Sequence, residues 1–364
     1  MPRVFVGNFD FEHELTSGRR ELSRDVKRLA ADLVSVCLSL AEPDDVIWSP
    51  TGVPTFAFQD LRDRGFTLPR FVSPEADLPQ GASWELVPWG WTSELQQWGL
   101  NHGWNCPAPP IDIVQHVNSR IFRSQLEHDL GIALPGSAVL RSVDELSSHI
   151  VKHVAPGAGW VLKANFGMAG RERLLGRGPQ LGEPALNWAR KRFAHSSGVV
   201  FEPWVERVSE AGLQWQVPPT GEPQLLGITP LLTDASGTYR GSRLTCTDEE
   251  RAAWQPAIEK TRQVADCVQQ CGYWGPLGLD AMLYRQANGQ IVCRPLQDLN
   301  ARYTMGRLAL GLRRFLSAES RADWLHDPQL VAAETEANPG ATVLQTTARS
   351  WLVIRSPDER GPRV

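Results

Sequence analysis

Short apolar runs alternate with helix-spaced stretches through the first hundred residues. "RVFVGNF" and "DDVIWSP" predict strands. "ELSRDVKRLAADLVSVCLSLA" carries apolar residues at helical spacing and stops before a Pro-Asp turn, and "FAFQDLRDRGF" predicts a short helix. That βαβ rhythm predicts an open, mostly parallel sheet. The Pro-rich "NCPAPPID", residues 105–112, marks a boundary. Beyond it, "IVQHVNSRIFRSQLEHDLGIALPGS" reads as a helix capped by Gly131, then an extended segment. "SVDELSSHIVKHV" predicts a helix, "GWVLKAN" a strand, "EPALNWARKRFAH" a helix and "GVVFEPWVERV" a strand that opens a long β region to about Tyr239. A helix over 248–271, the hairpin "LGLDAMLYRQANGQIVCRPLQDLN" and the helix "TMGRLALGLRRFLSA" follow, and "RSWLVIRS" predicts one strand in the tail.

The chain has 364 residues, which sets an expectation of two to three domains. Apolar residues make up 42% and charged ones 21%, the balance of a folded globular protein. A net charge of −4 gives no electrostatic reason for a nucleic-acid or anionic-membrane partner. No basic region followed by an apolar core opens the chain, and no apolar run approaches the roughly 20 residues of a membrane span. The expectation is therefore a cytoplasmic protein with reduced thiols. The six cysteines form no CxxC pair, and Cys267 and Cys271, one helical turn apart, read as a small apolar face. Fourteen tryptophans are many for this length; those of "WELVPWGWTSELQQWGLNHGW", residues 84–104, read as packing in preference to a substrate wall.

The hairpin carries candidate chemistry. Its second strand ends in "RPLQDLNARYTMG", where Asp298, Asn300 and Arg302 fall at alternate positions. Asn288-Gly289 marks the turn. A two-residue turn pairs Asp280 with Gln297 and sends Asp298 to the other face. A three-residue turn, or a bulge near Pro295, places Asp280, Asp298 and Asn300 together. Two carboxylates and an amide oxygen on one face are hard donors suited to Mg²⁺ bridging nucleotide phosphates. Lys163 ends the strand "GWVLKAN" beside the loop Gly167-Met168-Ala169-Gly170, from which a lysine can reach phosphate oxygens. Glu202 closes the strand "VVFEPWVE", whose exit can offer backbone groups and a carboxylate to a nucleoside.

In this order and spacing the set resembles the ATP-grasp superfamily, which includes D-alanine–D-alanine ligase and biotin carboxylase. The resemblance covers about residues 111–316. It implies an open α/β pre-ATP-grasp domain over 1–110 and a two-lobed ATP-grasp domain over 111–325, with a lid at about 135–205 and a metal-binding core at about 206–325. Residues 326–364 form an extension. It further implies that Arg120, where lysine is more usual, and Lys163 contact phosphates, and that 167–170 form the flexible lid loop. Glu202 with the backbone of Trp204 and Val205 takes the adenine, and Glu210 (or Glu206) the ribose. Asp280, Asp298 and Asn300 hold the metal, with Asp298 where glutamate is commoner. Arg302 serves the acyl-phosphate or substrate, and Arg243 (or Arg240) the γ-phosphate, since position 278 is Gly where some relatives keep an arginine. The implied activity is ATP-dependent joining of a small-molecule carboxylate to an amine, with ATP and Mg²⁺ or Mn²⁺ as cofactors and no nucleic-acid or membrane partner. A small-molecule kinase, a non-catalytic ATP-binding module and a homodimeric state stay open.

Overall fold

The βαβ rhythm of the first hundred residues produces a four-stranded parallel sheet, in the spatial order Arg70–Val72, Val46–Trp48, Arg3–Val6, Glu85–Pro88. The computed structural model describes residues 1–15, 31–50, 52, 59–167, 172–194 and 196–355. The described chain divides into two compact units. One comprises Met1–Ile111, Leu226–Arg251 and Arg302–Val364; the other comprises Asp112–Leu225 and Ala252–Ala301. The first cut falls between Ile111 and Asp112. Residues 226–251 and those from Arg302 onward cluster with the N-terminal sheet.

In the first unit the parallel sheet is short-stranded and apolar, as a sheet covered on both faces must be. Val4, Val6, Val46, Val72 and Leu86 meet Trp104 in its core, with Trp48, Trp84, Trp91 and Trp98 packed against them. The Trp104 indole N–H donates to Pro79 O at 2.8 Å and that of Trp98 to Glu75 Oε1 at 2.6 Å, so packing accounts for much of the Trp-rich segment. Of the helix expected over 21–41, residues 21–30 lie outside the described residues, and Val34–Ser39 forms a 3₁₀ helix. Val34 and Val36 are β-branched, Ser35 and Ser39 favour non-helical turns, and all six residues are buried. Antiparallel strands Tyr239–Arg243, Arg321–Leu325, Ser350–Arg355 and Thr342–Thr347 pair in that order. Among the described residues no helix is long and apolar enough to cross a membrane.

The second unit holds two antiparallel arrays. Four strands run in the order Ala138–Leu140, Val199–Pro203, Gly159–Ala164, Arg173–Arg177. Helices Val143–His153 and Glu183–Phe193 cover them, burying Leu146, Ile150 and Ala189 against Trp160, Leu162, Val199 and Phe201. The other array pairs Ile291–Asn300 with Gly275–Arg285, and that strand with Glu206–Val217. The helix Arg120–Asp129 starts at an N-cap whose Ser119 hydroxyl accepts from Phe122 N, and ends before Gly131, whose φ of +66° is open to glycine at no steric cost.

Candidate functional site

The hairpin decides which side chains meet. Its loop is Ala287–Gly289, closed by Gln286 N donating to Gln290 O at 2.9 Å, with Gly289 at φ +84°. The three-residue loop sets Arg285 opposite Ile291 and Met282 opposite Arg294. Between Met282 and Asp280 the register slips by two around Pro295, so that Asp280 stands opposite Asp298 and Gly278 opposite Asn300. A slip of two preserves the face. Asp280, Asp298 and Asn300 therefore share one, together with Glu210, which stands opposite Met282 on the neighbouring strand. The Asn300 amide nitrogen lies 3.4 Å from Asp280 Oδ2, and Asp298 Oδ1 accepts from Leu299 N at 3.1 Å.

Behind this group lies a buried network of charge. Glu202 is 2% exposed. Its Oε1 accepts from Arg123 Nη2 at 2.6 Å and Arg294 Nη2 at 3.0 Å, and its Oε2 from Arg294 Nη1 and Lys163 Nζ, both at 2.9 Å. Glu127 accepts from Arg123 Nη1 and, at 2.9 Å, from Arg294 Nε. Three cations (Arg123, Arg294, Lys163) face two carboxylates (Glu127, Glu202), so one positive charge is left over. It falls on the accessible side. The Lys163 side chain is 15% exposed, whereas the other four are between 1% and 3%. Burial alone would raise the Glu202 carboxyl, but Arg294, Lys163 and Arg123 together hold it well below the ordinary carboxylate range. Burial lowers the Lys163 ammonium more than Glu202 raises it. Asp298 also titrates low, because Arg120, Lys163 and Arg123 outweigh burial.

Arg120 donates to Ala164 O and Gly167 O, both at 2.9 Å, and its Nη2 lies 3.8 Å from Asp298 Oδ2. It thus ties the strand that carries Lys163 to the carboxylate group. Asn165 braces the same junction by accepting from Ser119 Oγ at 2.7 Å and Ile121 N at 3.1 Å. Met168, Ala169 and Gly170 lie outside the described residues. The Trp204 N–H already donates to Gly159 O at 3.0 Å, and Val205 packs against the buried Leu134, Met282 and Tyr284. Of the two ribose candidates, Glu210 is 5% exposed and held by Gln297 Nε2 at 2.8 Å and Arg207 Nε at 3.2 Å. Glu206 makes a solvent-facing pair with Arg285.

The remaining candidates belong to the first unit. Arg302 pairs with Glu12, lies over the Trp89 ring with 5.2 Å to its centroid, and donates to Tyr303 O at 2.8 Å. Arg243 donates to Glu250 at 2.6 Å, and Arg240 to Asp234 at 2.8 Å.

Arg123, Glu127, Arg294, Asn165 and Gln297 were not singled out by sequence. The i,i+4 spacing of Arg123 and Glu127 was a visible signal, but it ordinarily marks a solvated helix face. Among the described residues no group of three or more His, Cys, Asp or Glu could hold a metal. Two carboxylates with one amide nonetheless fit Mg²⁺, which takes one or two carboxylates and completes its shell with water and phosphate oxygens.

No family model matches the sequence, and no curated protein matches it. Solved structures do. N5-carboxyaminoimidazole synthetase from Staphylococcus aureus, complexed with ADP, aligns at TM-score 0.55 and 11% identity over 98% of this chain and 93% of that one. The enzyme from Aspergillus clavatus, in complex with ADP and its aminoimidazole ribonucleotide, aligns at TM-score 0.55 and 12% identity over 98% and 94%. The biotin carboxylase domain of Hydrogenobacter thermophilus 2-oxoglutarate carboxylase, a dimer with MgADP and bicarbonate, aligns at TM-score 0.55 and 12% identity over 98% and 86%. At such identities the likeness is one of architecture, a mixed α/β chain with parallel and antiparallel sheets. The chain has the ATP-grasp fold.

Proposed function

We propose that the protein is an ATP-dependent ligase that activates a small-molecule carboxylate as an acyl-phosphate and joins it to an amine, releasing ADP and phosphate. The observation that carries this reading is the placing of Asp280, Asp298 and Asn300 on one face, in the same unit as the surplus positive charge at Lys163. The Asp298 carboxylate, held low by its cationic neighbours, is ready for a divalent cation, and Lys163, the least buried member of a net-positive network, is the residue placed to meet phosphate oxygens.

In the first step a carboxylate oxygen attacks the γ-phosphorus of ATP and the bond to the ADP oxygen breaks. In the second an amine attacks the acyl carbon and the phosphate leaves. Asp280, Asp298 and Asn300 would hold Mg²⁺, which when bound neutralises charge on the transferring phosphoryl group. Lys163 supplies the protein's own cation to the phosphates, and Arg120 fixes the base of the loop at Gly167. Arg302, forked and permanently charged, suits the substrate carboxylate or the oxyanion of the second step. The nucleotide base meets the exit of the Glu202 strand through backbone groups, because the Glu202 carboxylate is already engaged by three cations.

The test is a matrix of carboxylates and amines with ATP and Mg²⁺, followed by ADP and phosphate release. Bicarbonate and an aminoimidazole ribonucleotide belong in it, since they accompany two structures of this fold. Release that requires both substrates and yields an amide or carbamate supports the ligase. Phosphorylated product alone would replace it with a small-molecule kinase, and tight ATP binding without turnover across the matrix with a binding module.

A further inference from the structure

We infer that Gln297 is a specificity-determining residue of the nucleotide site. Its amide oxygen accepts a hydrogen bond from a donor on the nucleoside, a ribose hydroxyl or the exocyclic amine of the base. The inference rests on the nucleotide-binding reading above.

Location comes first. Gln297 falls in the irregular stretch around Pro295, where three residues, 295–297, stand against the single Ala281. A regular strand would turn Gln297 away from its neighbour Asp298. Here its side chain reaches Glu210, on the face that carries Asp280 and Asp298.

Orientation follows from charge. The two ends of a glutamine amide look alike, but a carboxylate is an acceptor only, so the end facing Glu210 must be the NH₂. That bond is 2.8 Å long, and Glu210 is itself held by Arg207 at 3.2 Å. The carbonyl end of Gln297 is therefore fixed in the opposite direction.

The third observation is that this fixed oxygen is buried and has no hydrogen-bond partner among the described residues. A buried acceptor left unmade is costly, and leucine or methionine would fill a similar volume without the cost. Such a group calls for a donor that arrives with a ligand or a water. Phosphate oxygens of a bound nucleotide carry no hydrogen and cannot serve. The nucleoside can: ribose offers hydroxyls and adenine an amine.

The experiment measures binding of ATP, 2′-deoxyATP, 3′-deoxyATP and inosine triphosphate to the full chain by calorimetry, for the wild type, Gln297→Leu and Gln297→Met. The wild type is expected to bind ATP about tenfold or more tightly than one of the three analogues. Both variants should bring that ratio to within about twofold by weakening ATP. The analogue that loses affinity names the donor. Equal binding of all four nucleotides by the wild type overturns the inference, as does a ratio that survives both substitutions. A uniform rise in the Mg²⁺ requirement for every nucleotide in the variants overturns it too, since that would make Gln297 a metal ligand. A wild type that binds no nucleotide overturns the parent reading and this one together, which separates the two failures.

Discussion

Arg294 and Asp298 lie four residues apart on one strand and on one face, yet they belong to opposite kinds of polar cluster. The Arg294 side chain is 2% exposed and commits its guanidinium to two carboxylates, Glu127 and Glu202. The Asp298 side chain is 31% exposed and meets its nearest cation among the described residues, Arg120, only at 3.8 Å. The first cluster is closed: both carboxylates take all their charge partners from inside the protein. The second is open and acidic. A buried ion pair adds little stability over a well-packed apolar core, but removing one partner strands the other. The closed cluster is therefore read better as a frame that fixes geometry than as a source of stability. What it fixes is Lys163, at its more exposed edge, and the surplus charge that Lys163 carries.

The comparison breaks most sharply at Asp298. Asp298→Asn keeps the shape and removes the charge, so it should cut Mg²⁺-dependent turnover by at least roughly a hundredfold with the fold intact. Phosphate release across a Mg²⁺ titration, beside an unchanged melting curve, checks this. Near-normal activity would mean that the open cluster is not a metal site.

Arg294→Met should show the opposite signature. It leaves Glu127 and Glu202 with fewer buried partners, which costs about 3–5 kcal/mol of stability in denaturant unfolding. Arg294→Lys should recover part of this but not all, because an ammonium cannot reproduce the fork that spans both carboxylates. A variant as stable as the wild type would show that the closed cluster frames nothing.

How legible these clusters were follows from how each is built. The parallel sheet, the strand Gly159–Ala164 and the helix Met305–Leu312 behind its Thr304 cap were readable, because each is set by local periodicity or capping. The open cluster was readable up to one ambiguity, its register. "ANG" can close a two- or a three-residue turn, and only the pairing of Arg285 with Ile291 chooses between them. The closed cluster was not readable. Arg123 and Glu127 look like a solvated pair, and Arg294 like one more residue of the hairpin's second strand. Their burial depends on a helix and two strands, with a sequence separation of 79 from Arg123 to Glu202 and of 167 from Glu127 to Arg294. Gln297 was hidden for the same reason as the register: its face depends on the slip at Pro295.

Acid should separate the two units. Burial pushes His326, in the first unit, down to about 4 from an ordinary value near 6.5. Its neutral form stabilises the fold above about pH 6.5, and that contribution drains away as pH falls toward 4. Glu202 in the second unit is held well below the carboxylate range, with Arg294, Lys163 and Arg123 outweighing burial. Its contribution is whole above the unfolded value of about 4.3 and is lost only below it. Unfolding followed against pH should therefore show an early loss that His326→Phe removes, and a later one that Arg294→Met shifts upward. A single loss untouched by His326→Phe would mean that the histidine is not held neutral.

The smallest effect tests whether burial is what divides the clusters. Arg262 and Glu222 form an ion pair at 2.8 Å, as short as the bonds inside the closed cluster, but their side chains are 51% and 81% exposed. Water solvates both partners when the pair is broken, so Arg262→Ala should cost no more than about 0.5 kcal/mol, and salt should screen even that. Arg294→Met and Arg262→Ala each remove one guanidinium from a short contact. If the two lose comparable stability in the same denaturant titration, distance and not burial sets the strength of these pairs, and the frame assigned to the closed cluster has no physical basis. A large difference assigns it to the desolvated carboxylates that Arg294 leaves behind.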